Sequence, residues 1–358
     1  MNYKLTCLTP TLIGNGDELA PIDYMVWKDQ INVLDQRRIF KLFARGPRLD
    51  GYLAQMKKAT KLDFASWGGL AQNYAGRRIP FEHASLTRHF ERAVAEHLFI
   101  RTFSSNSASE IYVPGTAIKG ALRTGTVFAG WNENAWQNVN SQLAEHMARQ
   151  PAAQADDRIA GKRFSTVGSS DSTPLPNSTT RVYLTKSSTL AGRDGRLELA
   201  WKRSPSGSTK SADDATPTFI EMAQAGAVFE GVFRAKDVTP LFRAANLFAT
   251  GLLANHANYA ETAKLSRLGE AVAALKVEVE RASESRNTCL LPVGWGGGFL
   301  GKAALTDSNS ETVRDVLRKL PLYQRAIQTG LPFPKTRRIV FLNDQPATLA
   351  GWMLLSVQ

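Results

Sequence analysis

The sequence predicts an α+β protein, because strands and helices mix along it without a regular βαβ beat. Three observations carry that expectation. Apolar and polar residues alternate at the start, Tyr3-Lys4-Leu5-Thr6-Cys7-Leu8, which is the pattern of a half-buried strand. Tyr24-Met25-Val26-Trp27 and Ile31-Asn32-Val33-Leu34 flank Lys28-Asp29-Gln30, which is the pattern of a hairpin. Leu265, Leu268, Val272, Leu275 and Val279 recur at helical spacing and predict a core-facing helix of roughly twenty residues.

The remaining elements follow in order. Asp35 is placed to cap a helix whose apolar residues are Ile39, Phe40, Leu42 and Phe43. A second short helix fits Leu49 to Thr60, and residues 98–103 read as a strand. Ile111-Tyr112-Val113-Pro114-Gly115 turns the chain into a helix from Thr116, and a more polar helix fits Glu133 to Arg149. Val228 to Phe233 reads as a strand, and a helix with Pro240 at its first position runs to Ala254. A short helix from Glu311 to Lys319 and two strand-like segments close the chain.

The middle has a different composition. Nine of the sixteen residues from Ser165 to Thr180 are Ser or Thr, with Pro174 and Pro176 among them, which excludes a regular helix there. Val182 and Leu184, then Leu197, Leu199 and Trp201, alternate on either side of Gly192-Arg193-Asp194-Gly195 and predict a hairpin. Residues 204–218 are again rich in Ser, Pro and Asp. The expectation is a mobile hairpin insertion over 165–218, dividing an N-terminal region (1–164) from a C-terminal one (219–358).

A chain of 358 residues suffices for two domains or one elaborated domain. Its 44 Lys and Arg against 32 Asp and Glu leave a net charge of +12, which favours a polyanionic partner without separating RNA from DNA or acidic protein. No apolar run approaches the roughly 18 residues of a membrane span, and MNYKLTCLTP lacks the apolar core of a secretory signal. A soluble cytoplasmic protein with no membrane partner is expected. Cys7 and Cys289 are too few for a disulfide framework or a thiolate metal site, and both sit in apolar stretches. His83, His89, His97, His146 and His256 form no metal-ligand or triad spacing. Asp156-Asp157 and Asp213-Asp214 read as solvated charge, which leaves Asp171 as the one carboxylate worth testing. No catalytic residue, metal or cofactor is expected.

Three segments could carry binding chemistry. In PGTAIKGALRT (114–124), a helix from Thr116 sets Lys119 and Arg123 four apart on one face, with Ile118 and Leu122 turned to a core. Free N–H groups at its start, with two cations further along, suit a phosphate; an ordinary amphipathic helix fits the same residues. In LPVGWGGGFLGKAAL (291–305), Gly296, Gly301 and Lys302 have the spacing of a nucleotide-binding P-loop. Ala303, however, stands where the Mg²⁺-binding hydroxyl must be. What remains is a bare turn of Gly296, Gly297 and Gly298 able to lie along a sugar–phosphate chain, with Trp295 and Phe299 for base stacking and Lys302 for phosphate. A tight structural turn with two core aromatics is the alternative. In FPKTRRIVF (333–341), Lys335, Arg337 and Arg338 precede an apolar strand, either as a solvated edge or as an RNA contact, with Lys335 and Arg337 on one face.

Taken in order, these segments resemble the RAMP superfamily of CRISPR-associated proteins. LTPTLIGNGD is similar to its N-terminal strand and glycine turn, YVPGTAIKGALRT to its basic helix, and GWGGGFLGK to its glycine-rich loop. LPFPKTRRIV and PATLAGWMLL look like the C-terminus of the type III-A (Csm) subunit located at the 3′ end of the CRISPR RNA. The resemblance implies an RRM-related, ferredoxin-like core with an inserted thumb-like hairpin. It also implies a noncatalytic role in gripping the 3′ portion of the CRISPR RNA and supporting its maturation, beside the backbone and small subunits of the complex. Its basic-helix match carries Lys119 and Arg123, and its loop match carries Gly296, Gly297, Gly298 and Lys302. A different RAMP position, terminal in a Cmr-type complex or within the backbone, is one alternative. A RAMP-fold endoribonuclease acting on precursor CRISPR RNA is another.

Overall fold

Alternation first becomes sheet at Asn2–Cys7, where Tyr3, Leu5 and Cys7 are buried while Asn2 and Lys4 are exposed. The computed structural model describes residues 1–44, 49–58, 73–146, 164, 167–193, 195–204, 207–307 and 310–358. Among these, a five-stranded sheet runs in the order Thr288–Pro292, Trp352–Val357, Asn2–Cys7, Val228–Arg234 and Gly168–Ser169, with every neighbour antiparallel. The helices Gly115–Gly130 and Thr239–Thr262 bury Ile118, Leu122, Phe242 and Ala245 in one core with Tyr3, Leu5, Phe229 and Leu355. The two helices close on each other at Gly125, where a Cβ would lie 2.7 Å from Ala245 Cα.

The central strand of the eight-stranded sheet is Thr180–Arg193. One edge of it pairs with Thr218–Ala223 and then Arg196–Lys202, and the other with Thr336–Leu342. The helix Ser266–Glu284 buries Leu268, Val272, Leu275 and Val279 in the same core as Leu184, Phe219 and Ile339. A three-stranded sheet of Tyr24–Val26, Gln30–Leu34 and Ala75–Pro80 carries the helix Gln36–Phe43, whose first turn Asp35 caps by accepting the Arg38 N–H at 3.1 Å. Glu221, fully buried, joins the two sheets. It pairs with Arg77 and accepts from Thr180 Oγ1 at 2.7 Å and the Phe103 N–H at 3.3 Å. Burial lowers the Arg77 pKa to about 10, which still leaves the guanidinium charged at neutral pH.

The structure corrects the reading of residues 165–218. The hairpin is present, with Arg193 opposite Arg196, but it forms the middle of the largest sheet, with Val182, Leu184 and Ser188 fully buried. Composition misleads because several of the buried hydroxyls find partners in the fold. Ser188 Oγ shares a hydrogen bond with Tyr259 OH at 2.8 Å, and Thr185 Oγ1 donates to Thr218 O at 3.2 Å. Lys186, 2% exposed, donates to Ala212 O at 2.8 Å. The boundary expected at 218 therefore falls within the paired strand Thr218–Ala223.

Other differences are local. The expected strand over 98–103 is reduced to Ile100–Arg101, and the helix after Val238 continues to Thr262. Phe40 is half exposed rather than core-facing. The helices Leu49–Lys58 and Glu133–His146 reach the ends of their described stretches; Thr60, Arg149 and Asp156-Asp157 lie outside the described residues. Ala75–Pro80, Leu86–Arg92 and Pro321–Gln328 were not anticipated as elements. Cys7 and Cys289 are buried and unbridged.

Candidate nucleic-acid interface

The glycine-rich loop is built against the opening turn of the chain. Trp295 donates its N–H to Leu12 O at 2.9 Å, Val293 to Gly351 O at 2.7 Å, and Gly351 to Pro10 O at 3.0 Å. Gly294 permits this docking, since a Cβ there would fall 2.1 Å from Leu12 O. Gly296 turns the chain onward at φ +109°, beside Ala350. The helix Gly298–Ala303 then presents Gly298 and Lys302 at the surface and lies against the basic helix Gly115–Gly130.

On that basic helix Ile118 and Leu122 are fully buried, and Lys119 and Arg123 follow them half-buried. Gly120, between the two cations, is exposed with open space around it, so backbone can be approached there. Gly115 is different: a Cβ would meet Ser169 O at 2.1 Å, so the protein's own backbone fills that approach. Asp171 accepts the Gly115 N–H at 2.9 Å and occupies the start of the helix. The helix N-terminus already holds this carboxylate, so of the groups expected to meet a phosphate on this helix Lys119 and Arg123 remain as candidates. Asp171 acts as a helix cap, a structural use that spacing alone did not suggest.

The cluster before the last strands divides in two. On the strand Thr336–Leu342, Arg337 and Arg338 point to opposite faces. Arg337 is buried at 8% exposure, which removes it from the candidate surface. Its guanidinium donates to His256 Nδ1 at 3.1 Å and to Pro334 O and Thr336 O, each at 2.8 Å, and also to Asn255 Oδ1. It also lies 4.7 Å from the Tyr259 ring centroid. Burial lowers its pKa to about 10, still charged at neutral pH. His256, fully enclosed and beside this cation, is pushed well below the usual imidazole value by burial first and by Arg337 second.

Arg338 is exposed and stacks on Trp295, its central carbon 4.5 Å from the ring centroid. Partial burial of the guanidinium, and then the nearby Arg101, lower its pKa. Lys335 is half-buried just before the strand, where its carbonyl accepts the Leu190 N–H at 2.9 Å. Phe299 is half-buried in an aromatic cluster, its ring 5.0 Å from Tyr323 and 4.9 Å from Phe333 in edge-to-face contacts. It braces the loop, and Trp295 is the aromatic set beside exposed cations. Arg101 was missed; its signal is a lone cation inside the apolar LFIRTF run.

Four of the sequence segments thus meet: the opening turn under the glycine loop, the basic helix beside that loop, and the last basic cluster through Arg338 on Trp295. Among the described residues no cluster of three or more His, Cys, Asp or Glu could hold a metal ion, and no helix is long and apolar enough to cross a membrane.

No family model and no curated protein matches the sequence. The fold does have relatives among solved structures. A chain in a cryo-EM structure of a Csm–crRNA–target RNA ternary complex of a type III-A CRISPR-Cas system aligns over 99% of this chain and 100% of its own, with 20% identity and a TM-score of 0.67. Csm5 of T. onnurineus, in a crystal structure, aligns over 98% of this chain and 99% of its own, with 16% identity and a TM-score of 0.60. The chain has the mixed helix-and-sheet fold of Csm subunits from end to end.

Proposed function

We propose that the chain is a noncatalytic, RNA-binding RAMP subunit of a type III-A Csm complex, capping the 3′ end of the guide and supporting its maturation in antiviral defence. The observation that carries this reading is the end-to-end likeness of fold to Csm chains. The strand order supports it. Taking Asn2–Cys7, Gly168–Ser169, Val228–Arg234 and Trp352–Val357 as strands one to four, the order in the sheet is four, one, three, two. With the two helices between them, that order agrees with the split βαβ arrangement a ferredoxin-like core would have. In this reading the thumb is the expected 165–218 insertion, with Thr180–Arg193 and Arg196–Lys202 as its hairpin.

RNA contact falls to Lys119, Arg123, Lys302, Lys335 and Arg338 for phosphates, with the Gly296–Gly298 backbone and Trp295 beside them. The exposed face of the five-stranded sheet is not an RRM-type stacking platform, since its exposed side chains Asn2, Lys4, Glu230, Val232 and Arg234 include no aromatic ring. Catalysis is assigned to other subunits. Ala303 supplies no metal-binding hydroxyl, and Asp171 is engaged with a helix start. The partners are the 3′ portion of the CRISPR RNA and the backbone and small subunits, in the cytoplasm.

Reconstitution with the other Csm subunits and guide RNA tests the whole reading. One copy should enter each complex and crosslink to the 3′ portion of the guide, and its omission should leave ragged 3′ ends. The purified chain should neither cut RNA nor hydrolyse ATP. Several copies per complex, or crosslinks confined to the 5′ tag, would move it to another RAMP position. Metal-independent cleavage of repeat RNA would make it a processing nuclease.

A further inference from the structure

The eight-stranded sheet carries a second feature on the same face as the Arg338–Trp295 stack. Register pairs Ser187 with Arg338, and residues paired across an antiparallel ladder emerge on the same face. On the other edge of the central strand Trp201 pairs with Ser188, so Lys202 faces Ser187. Lys202, Ser187 and Arg338 therefore form a row across three strands, with the two cations' Cα atoms roughly 10 Å apart, two strand spacings. At its Lys202 end the row opens into a cleft of about 340 Å³, lined by Ser187, Lys202, Arg203, Ser204, Gly207, Thr216 and Thr218.

The cleft is held by the backbone around it. Thr216 donates its N–H to Lys202 O at 3.1 Å, Arg203 to Gly207 O at 3.3 Å, and Ser204 to Thr216 Oγ1 at 2.6 Å. Two cations and three hydroxyl side chains line it besides Ser204, and no carboxylate or aromatic ring does so among the described residues. Asp213 and Asp214, in the same loop, act on Lys186. Lys186 leaves the central strand on the opposite face from Ser187.

We infer that this cleft is a phosphodiester subsite, and that a single strand of RNA runs from the Trp295–Arg338 stack along the Arg338–Ser187–Lys202 row into it. The chemistry points to backbone rather than base: donors and positive charge recognise phosphate oxygens, and stacking surface is lacking. A volume of this size admits about one nucleotide unit. The inference rests on the RNA-binding reading above and adds a second anchoring point away from the glycine loop.

The test uses the full chain and single-stranded RNAs of two unrelated sequences, each longer than the roughly 4–16 nucleotides one groove covers. Binding is followed by fluorescence anisotropy across a salt series. The double variant Lys202→Ala/Arg203→Ala should weaken both RNAs by the same factor, and should flatten the logarithmic salt slope by roughly 0.7 for each of two lost contacts. Ser187→Asp, which sets a like charge in the floor of the cleft, should act in the same direction, with an unchanged melting curve reporting an intact fold. If wild type binds RNA and both variants bind it with unchanged affinity and slope, the subsite is absent while the RNA-binding reading stands. If wild type binds neither RNA, the reading itself fails. If the variants lose only a mononucleotide and not the RNA, the cleft is a mononucleotide site and the inference falls.

Discussion

Arg338 and Trp295, far apart in the chain, meet in a cation–π stack at 4.5 Å, and this contact ties the last strand cluster to the glycine-rich loop. Each residue therefore depends on the other for its orientation. Trp295→Ala should weaken single-stranded RNA binding by about 1–3 kcal/mol, the range for losing a base–aromatic stack. Arg338→Ala should do so through a lost phosphate contact and a freed indole. A double-mutant cycle should give a coupling of about 0.5–1 kcal/mol, measured by anisotropy. Strict additivity would mean that the two act separately.

Arg337, one residue earlier, should behave in the opposite way. Arg337→Ala leaves Asn255, His256 and two carbonyls without their donor and should cost about 2–4 kcal/mol of stability in urea unfolding. Arg337→Lys should not restore it, since one ammonium cannot span partners arranged around a planar fork. Arg338→Ala should change stability little. Equal stability losses at both positions would contradict the face assignment.

His256 makes stability depend on pH. Its folded pKa lies well below the ordinary value, and in the fold its Nδ1 accepts from Arg337, which a protonated ring could not do. As pH falls below the unfolded value of about 6.5, the unfolded chain gains a proton that the folded chain refuses. The stability present above that value should therefore be lost on acidification, by up to about 1.4 kcal/mol per pH unit until the folded pKa is reached. His256→Gln should flatten the stability curve between about pH 7 and 5. An unchanged slope would assign the titration elsewhere.

Two glycines of the basic helix should respond oppositely to alanine. Gly120→Ala meets open space and should stabilise the helix by about 0.5–1 kcal/mol, while weakening RNA binding if backbone passes there. Gly125→Ala places a Cβ 2.7 Å from Ala245 Cα, so the two long helices must part, which should cost about 1–3 kcal/mol or more. Thermal melts and RNA titrations of both variants separate packing from contact.

Local pattern was enough for much of the fold. Alternation at Tyr3–Cys7, the capping Asp35 and the helical spacing of Leu268, Val272, Leu275 and Val279 each express a period that short-range geometry imposes. The association of Lys119 with Arg123 was equally legible, because one helical turn sets it. The placement of Arg337 and Arg338 was not. Both are cations in a basic run, and only the helix Thr239–Thr262, bringing Asn255, His256 and Tyr259 to one face of a distant strand, decides which is buried.

The same distinction accounts for the Ser- and Thr-rich middle of the chain and for Asp171. Composition determined that residues 165–180 form no regular α-helix, as the described residues 167–180 bear out, and that a hairpin turns near Gly195. It could not determine that the hairpin is the centre of a sheet, since that depends on partners at Thr218–Ala223 and Thr336–Leu342 satisfying its backbone and hydroxyl groups. Asp171 stood out in the sequence as the one carboxylate worth testing, and the fold gives it a structural use against the Gly115 N–H. The sequence by itself determined many of the local elements, the excess of positive charge and the one-turn spacing of Lys119 and Arg123 on their helix. The tertiary structure decided which polar groups are buried, because the cost of burying a charge or hydroxyl is met only by partners that long-range packing brings within hydrogen-bonding distance.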